Sequence, residues 1–343
     1  MNTIRQVTIR KKQAMSSRRR ATLVLVLLTL LSLGSLALAL AAGTLSIPVS
    51  EILAALAGGD TASRAVIMDL RLPRALAGFA CGGLLALAGA LMQVLLRNPL
   101  ADPYVLGISG GAGVGALLAM LLGLAGWLLS GFAFAGALAA MLLVFGLARG
   151  DGSWTQTRLL LTGVVVAAGC GAIIALILSI APEQQLHGML FWLMGDLSQA
   201  IASTPVLLLL ALTLAAALPF ARELNLLTRG ADQAQSLGVA VSALRRIIYV
   251  VASLATAGAV TTAGSVGFVG LIVPHLVRLS IGNAMGSDHR LLLPATVLAG
   301  GSLLVLADTL ARTVIAPTQL PVGVLTALIG VPVFLFLLGR GRP

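Results

Sequence analysis

Apolar runs of about 20 or more residues recur from Ala21 to Gly339, with the charged residues gathered in short gaps between them. A helix needs about 20 residues to cross roughly 30 Å of hydrocarbon. In lipid the backbone must satisfy its own N–H and C=O groups, so an apolar run that spans does so as a helix. Only 10% of the 343 residues are charged, against about 25% in soluble domains. A water-soluble fold is excluded, and an all-α polytopic membrane protein with about ten transmembrane helices in one bundle is predicted.

The spans are predicted at about 21–42, 74–96, 104–123, 126–148, 159–181, 204–220, 247–266, 267–281, 291–311 and 320–339. With the amino terminus inside, the cytoplasmic side collects every Lys and Arg except Arg64, Arg71, Arg74 and Arg312. That asymmetry is the positive-inside pattern, and one missed span would invert everything after it. Both termini are therefore expected in the cytoplasm. The organisation predicted is a basic cytoplasmic segment over 1–20, a permeation domain over 21–339 containing a cytoplasmic loop at 224–246, and a short tail at 340–343. The first span resembles a secretory leader, but its apolar stretch exceeds the 7–15 residues of a leader core, which favours an uncleaved anchor. The segment 267–281 is short and contains Pro274, His275 and Arg278. It is expected to be a tilted or partial helix, with its broken backbone sheltered by protein.

The net charge of +11 belongs to this topology, and no nucleic-acid partner is expected. Cys81 and Cys170 lie inside apolar segments with no metal-ligand spacing and are read as packing residues. Lysine occurs only at Lys11 and Lys12, neither after a glycine-rich turn. The chain thus lacks the phosphate-holding P-loop, and any ATP must be handled by a partner. His187, His275 and His289 are scattered along the chain with no H-x-x-x-H pair, which argues against a metal site. No G-x-S-x-G nucleophile turn is present. Ion-coupled carriers keep acidic residues deep in the membrane; here the acids lie near span ends. Asp308 is the partial exception, and Arg312 one turn later is placed to neutralise it as an i,i+4 pair. An ATP-independent secondary transporter or channel is the competing class, with a purely structural membrane subunit behind it.

Three polar segments carry more than a connector needs. Arg71-Leu72-Pro73-Arg74 keeps two arginines on the side that topology disfavours, with Pro73 fixing the entry to a helix. Lipid headgroups could hold such a pair, and so could an acidic protein surface if Arg312 lies nearby. Gln93 to Gly111 contains Asn98-Pro99 and Asp102-Pro103, turn signals for a tight inner hairpin. Leu224 to Arg246 contains a short helical stretch, Ala231–Leu237, bracketed by Gly230 and Gly238 and begun by Asp232. Leu227, Leu237 and Val239 would be out of place in a plain solvated linker.

These segments, with Trp192–Gly195 (W-L-M-G), Ser236–Val239 (S-L-G-V), Gly267–Arg278 (G-F-V-G-L-I-V-P-H-x-x-R), Asp288–Pro294 and Leu320–Pro332, resemble the permease subunits of type II ABC importers for iron-siderophores, haem and cobalamin, the FecCD/BtuC type. The resemblance runs from Arg71 to Gly339. It implies a dimer of permeases, a homodimer being favoured, in a bacterial inner membrane with the pathway between the copies. It further implies two cytoplasmic ATP-binding subunits, which hold ATP and Mg, and a periplasmic substrate-binding protein. No cofactor is expected on this chain. By position, Arg71, Arg74 and Arg312 match arginines that receive the binding protein. Gly230, Ala231, Asp232, Ala234, Ser236, Leu237 and Gly238 match the coupling helix that seats in the ATPase. Thr155, Gln156 and Thr157 fall at the cytoplasmic gate. Gln156 stands where the cobalamin type usually has a hydroxyl residue, and Gln319 replaces a common Glu. The expected activity is ATP-driven, alternating-access import of an iron(III)-siderophore or haem, with cobalamin as the alternative.

Overall fold

The computed structural model describes residues 2–43, 45, 47–148, 155–198, 200, 203–282 and 288–340. Arg149, Arg342 and the 341–343 part of the tail, all placed at the cytoplasmic side above, lie outside the described residues. Every element among the described residues is helical. In order they are α1 (Asn2–Ala41), α2 (Val49–Leu56), α3 (Leu72–Leu95), α4 (Ile108–Leu121), α5 (Trp127–Leu147), α6 (Gln156–Ile180) and α7 (Glu183–Met194). There follow α8 (Thr204–Ala217), α9 (Ala221–Leu227), α10 (Ala231–Ser236), α11 (Val241–Ala263), α12 (Val269–Ile281), α13 (His289–Ala311) and α14 (Val322–Arg340).

Among the described residues, seven helical stretches are long and apolar enough to cross a membrane, and α4, α12 and the Val322–Leu337 part of α14 are shorter apolar helices. Together they coincide with the ten predicted spans, and the chain is a multi-pass membrane protein. The helix α7 was not predicted; it lies in the gap left between 181 and 204, where Glu183, Gln184, Gln185 and His187 obscure its apolar face. Helical winding also begins earlier than predicted before α3. Pro73 cannot donate a backbone hydrogen bond, and residues 66–71 widen to i→i+5 pairing, Leu72 N–H donating to Ile67 C=O.

The core is α3, buried along almost its whole length from Ala75 to Leu95, with α8, α11, α12 and α13 packed around it. Lipid tails offer no hydrophobic drive between helices, so close backbone contact and van der Waals packing must hold the bundle. Glycine supplies that contact. A Cβ at Gly89 of α3 would lie 1.8 Å from the Gly270 carbonyl oxygen of α12, and one at Gly82 would lie 2.2 Å from that of Gly300 on α13. Gly111 and Gly136 join α4 to α5 in the same way. Cys81 is buried and Cys170 partly so, both as free thiols.

The α12 segment has the partial character expected of 267–281. Its 13 residues span about 20 Å at 1.5 Å per residue, and non-helical residues 264–268 precede it. Their polar groups are satisfied inside the protein: the Tyr104 hydroxyl donates to Val266 C=O and accepts from Val266 N–H, each at 2.9 Å. Ser109 and Ser265 hydroxyls meet at 3.1 Å, and Asp196 N–H donates to Ala263 C=O at 2.9 Å.

Candidate functional site: two polar ends of one bundle

The carboxyl end of α1, the amino end of α3 and the carboxyl end of α13 meet at one end of the bundle. The last carbonyls of a helix have no intrahelical donor and carry partial negative charge, so cations gather there. Arg71 donates to Leu40 C=O at 2.7 Å and Ala41 C=O at 3.0 Å, and Arg312 to Ala39 C=O at 2.6 Å. Arg74 grips the Asp308 carboxylate with Nε at 3.0 Å and Nη2 at 2.8 Å, and its Nη1 donates to Gln319 Oε1 at 2.9 Å. The i,i+4 pair expected between Asp308 and Arg312 is present at 3.7 Å. Arg74, which is 234 residues away, makes the shorter bond. The three arginines predicted to act together are thus brought together. Arg71 and Arg312 are buried and donate to the carbonyls that end α1, whereas Arg74 is half-buried.

The opposite end holds the second predicted group. Gly230 (φ 134°) and Gly238 (φ 86°) adopt backbone angles that L side chains avoid, and they turn the chain into and out of α10. The predicted stretch Ala231–Leu237 forms as Ala231–Ser236 with Leu237 closing it. Ala234 is buried, as are Leu227 and Val239, which packing explains. Asp232, Gln233, Gln235 and Ser236 face outward, and Leu237 is 63% exposed. An apolar side chain at the tip of a polar turn is suited to a partner's pocket.

Thr155, Gln156 and Thr157 begin α6 at this same end. Thr155 Oγ1 accepts from Arg158 N–H at 3.3 Å, an N-cap. Gln156 Nε2 donates to Leu95 C=O at 3.0 Å and so caps the carboxyl end of α3. A cavity of about 230 Å³ lies between the inner hairpin and α6, lined by Asn98, Leu100, Val105, Gln156, Thr157 and Leu160 among others.

Two contacts escaped sequence reasoning because their members are far apart in the chain. Gln93, buried in α3, accepts from Arg278 of α12 and donates to Leu271 C=O at 3.1 Å. Asn225 of α9 bonds Asp288 and His289 at the start of α13. Each residue stands in or beside a segment singled out above, but nothing in the sequence pairs them.

The description of the FecCD transport family matches residues 26–340. The chain belongs to the FecCD transport family. Among relatives, the hemin transport system permease protein HmuU of Yersinia pestis is 43% identical over 285 residues, covering 80% of this chain and 83% of that one. The vitamin B12 import system permease protein BtuC of Klebsiella pneumoniae is 39% identical over 336 residues, covering 95% and 96%. The YvrB permease protein of Bacillus subtilis is 39% identical, covering 89% and 90%. A solved metal-chelate type ABC transporter in an inward-facing conformation superposes with a TM-score of 0.80 at 30% identity, over 93% of this chain and 99% of that one. The FecCD fold expected from the motifs is therefore present, an ABC importer permease whose polar constellations occupy the two ends of its helices.

Proposed function

We propose that this permease imports an iron(III)-siderophore or haem across the bacterial inner membrane, as a homodimer driven by two cytoplasmic ATP-binding subunits. The observation that carries the proposal is the separation of the two polar ends. The helix α13 runs from the α9–α10 end to the arginine end, about 34 Å for 23 residues. One face is thus available to an engine and the other to a delivery protein. In this reading the α10 end and both termini are cytoplasmic, and ATP and Mg are bound by the ATPase subunits. The chain itself is not an enzyme and holds no cofactor. The arginine end faces the periplasm and receives the substrate-binding protein, with Arg74 as the contact and Arg71 and Arg312 holding its surroundings. Thr155 and Thr157 flank the cytoplasmic gate, and Gln156 anchors it to α3. A conduit between two copies suits ligands of this size, and α6, of whose apolar window 17% is buried within one copy, offers a face for it.

The relatives include both haem and cobalamin permeases. Gln156 departs from the cobalamin type, which favours the iron chelates; cobalamin is the second reading. Uptake into proteoliposomes holding permease and ATPase, supplied with the cognate binding protein and each ligand in turn, tests the choice. Iron chelate is expected to accumulate and cobalamin not; cobalamin uptake without chelate uptake would reverse the assignment. In the same vesicles, Arg74→Ala is expected to raise the binding-protein concentration for half-maximal uptake about tenfold, the equivalent of about 1.4 kcal/mol. The effect should grow at low salt, as for charge-guided docking. An unchanged requirement would remove Arg74 from the docking surface.

A further inference from the structure

The amino end of α13 is fastened to the element that carries α10. Asp288 caps α13, its Oδ1 accepting from Arg290 N–H at 3.1 Å. That same oxygen accepts from Asn225 Nδ2 at 3.0 Å. Asp288 can only accept, so the Asn225 amide nitrogen must face it, and Asn225 Oδ1 is turned to the other side. There it accepts from His289 N–H at 2.9 Å and lies 2.6 Å from His289 Nδ1. An amide oxygen cannot donate, so Nδ1 carries the hydrogen. His289 is 1% exposed, while Asn225 and Asp288 are half-buried. Asn225 sits on α9, three residues before the turn into α10 that begins at Thr228. At its far end α13 presents Asp308 to Arg74 and Arg312. Between the two ends it packs closely along α3, where Gly82 and Gly300 meet backbone to backbone and the Leu304 and Phe79 side chains lie against facing glycines.

We propose that Asn225, Asp288 and His289 form a positioning clamp through which displacement of α10 is delivered to α13 and along it to the arginine end. The inference rests on the importer reading, in which α10 is the element displaced. The three residues touch no ligand; they fix the start of α13 to α9, so that the helix follows α10 as one body. Loss of the clamp would let α10 move without α13, and a signal entering at either end would stop there.

The clamp can be tested in proteoliposomes containing the full permease, its ATPase and the binding protein. The measured quantity is the ratio of binding-protein-stimulated to unstimulated ATP hydrolysis. Asn225→Ala is expected to reduce that ratio at least fivefold while the ATPase still co-purifies and binding-protein affinity is retained. Asn225→Asp and Asp288→Asn singly are expected to do the same. The double exchange, N225D with D288N, restores an acceptor toward His289 N–H and a donor from position 288, and it is expected to recover most of the ratio. A merely structural role would lower ATPase co-purification and unstimulated hydrolysis together with the ratio, whereas a coupling role lowers the ratio alone. A wild-type ratio in Asn225→Ala, or no recovery in the exchange, would overturn the clamp; should Asn225→Ala not fold, the exchange decides. A wild-type complex whose hydrolysis never responds to binding protein would instead overturn the importer reading itself.

Discussion

Gly89→Val is expected to leave essentially no folded permease in the membrane, whereas Gly131→Ala is expected to accumulate and melt like the wild type. At Gly89 even the first added carbon would lie 1.8 Å from the Gly270 carbonyl oxygen and 2.6 Å from its Cα. These are backbone atoms, which cannot swing aside as a side chain can. Overpacking a core with flexible neighbours costs about 1–3 kcal/mol; here α3 and α12 must separate, which breaks the adjoining Gln93 bonds to Leu271 and Arg278 as well. The loss should exceed that range. Gly131 of α5 has open space where its Cβ would stand, and alanine favours a helix over glycine by about 1 kcal/mol. Size-exclusion profiles and thermal melts of the two variants in detergent check the pair. A monodisperse Gly89→Val protein with an unchanged melting temperature would show that the α3–α12 contact does not hold the bundle.

How much could be read from the chain alone follows from the range of each interaction. The ten apolar helices were legible because hydrophobic length and the placement of arginines are local or additive signals. The glycines inside the spans are visible in the sequence, but which helices they bring together is not. Gly82 and Gly300 are brought into contact by the fold, and no periodicity encodes that pairing. The helix α7 was missed because its first turn is polar, Glu183-Gln184-Gln185, and a hydropathy signal reads this as a connecting gap. For the candidate site, the i,i+4 relation of Asp308 and Arg312 was visible in the sequence, while the stronger Arg74–Asp308 pair was not, since it joins residues 234 apart. Gln156 looked like a departure from the family pattern at the gate. Its bond to Leu95 gives it a local structural task that only the neighbouring helix end reveals.

The same limit applies to Arg71. Its exposure to a partner could be imagined from the R-L-P-R segment, but its guanidinium is turned inward to the carbonyls that end α1. Charge on a sequence says which side of the membrane a residue favours; it does not say what the side chain bonds. The division of labour among the three arginines, two closing a helix end and one partly open, comes from the fold.

In this reading the bundle has no engine of its own and moves its ligand only when work enters through α10. The most direct measurement is uptake into proteoliposomes loaded with ATP, using binding protein charged with iron chelate and an ATPase variant that binds ATP but cannot hydrolyse it. Accumulation is expected to fall to the level of vesicles lacking permease, while the intact ATPase sustains it. Chelate accumulation that continues at the wild-type rate with the inactive ATPase would contradict it, and would make the chain a channel or secondary carrier.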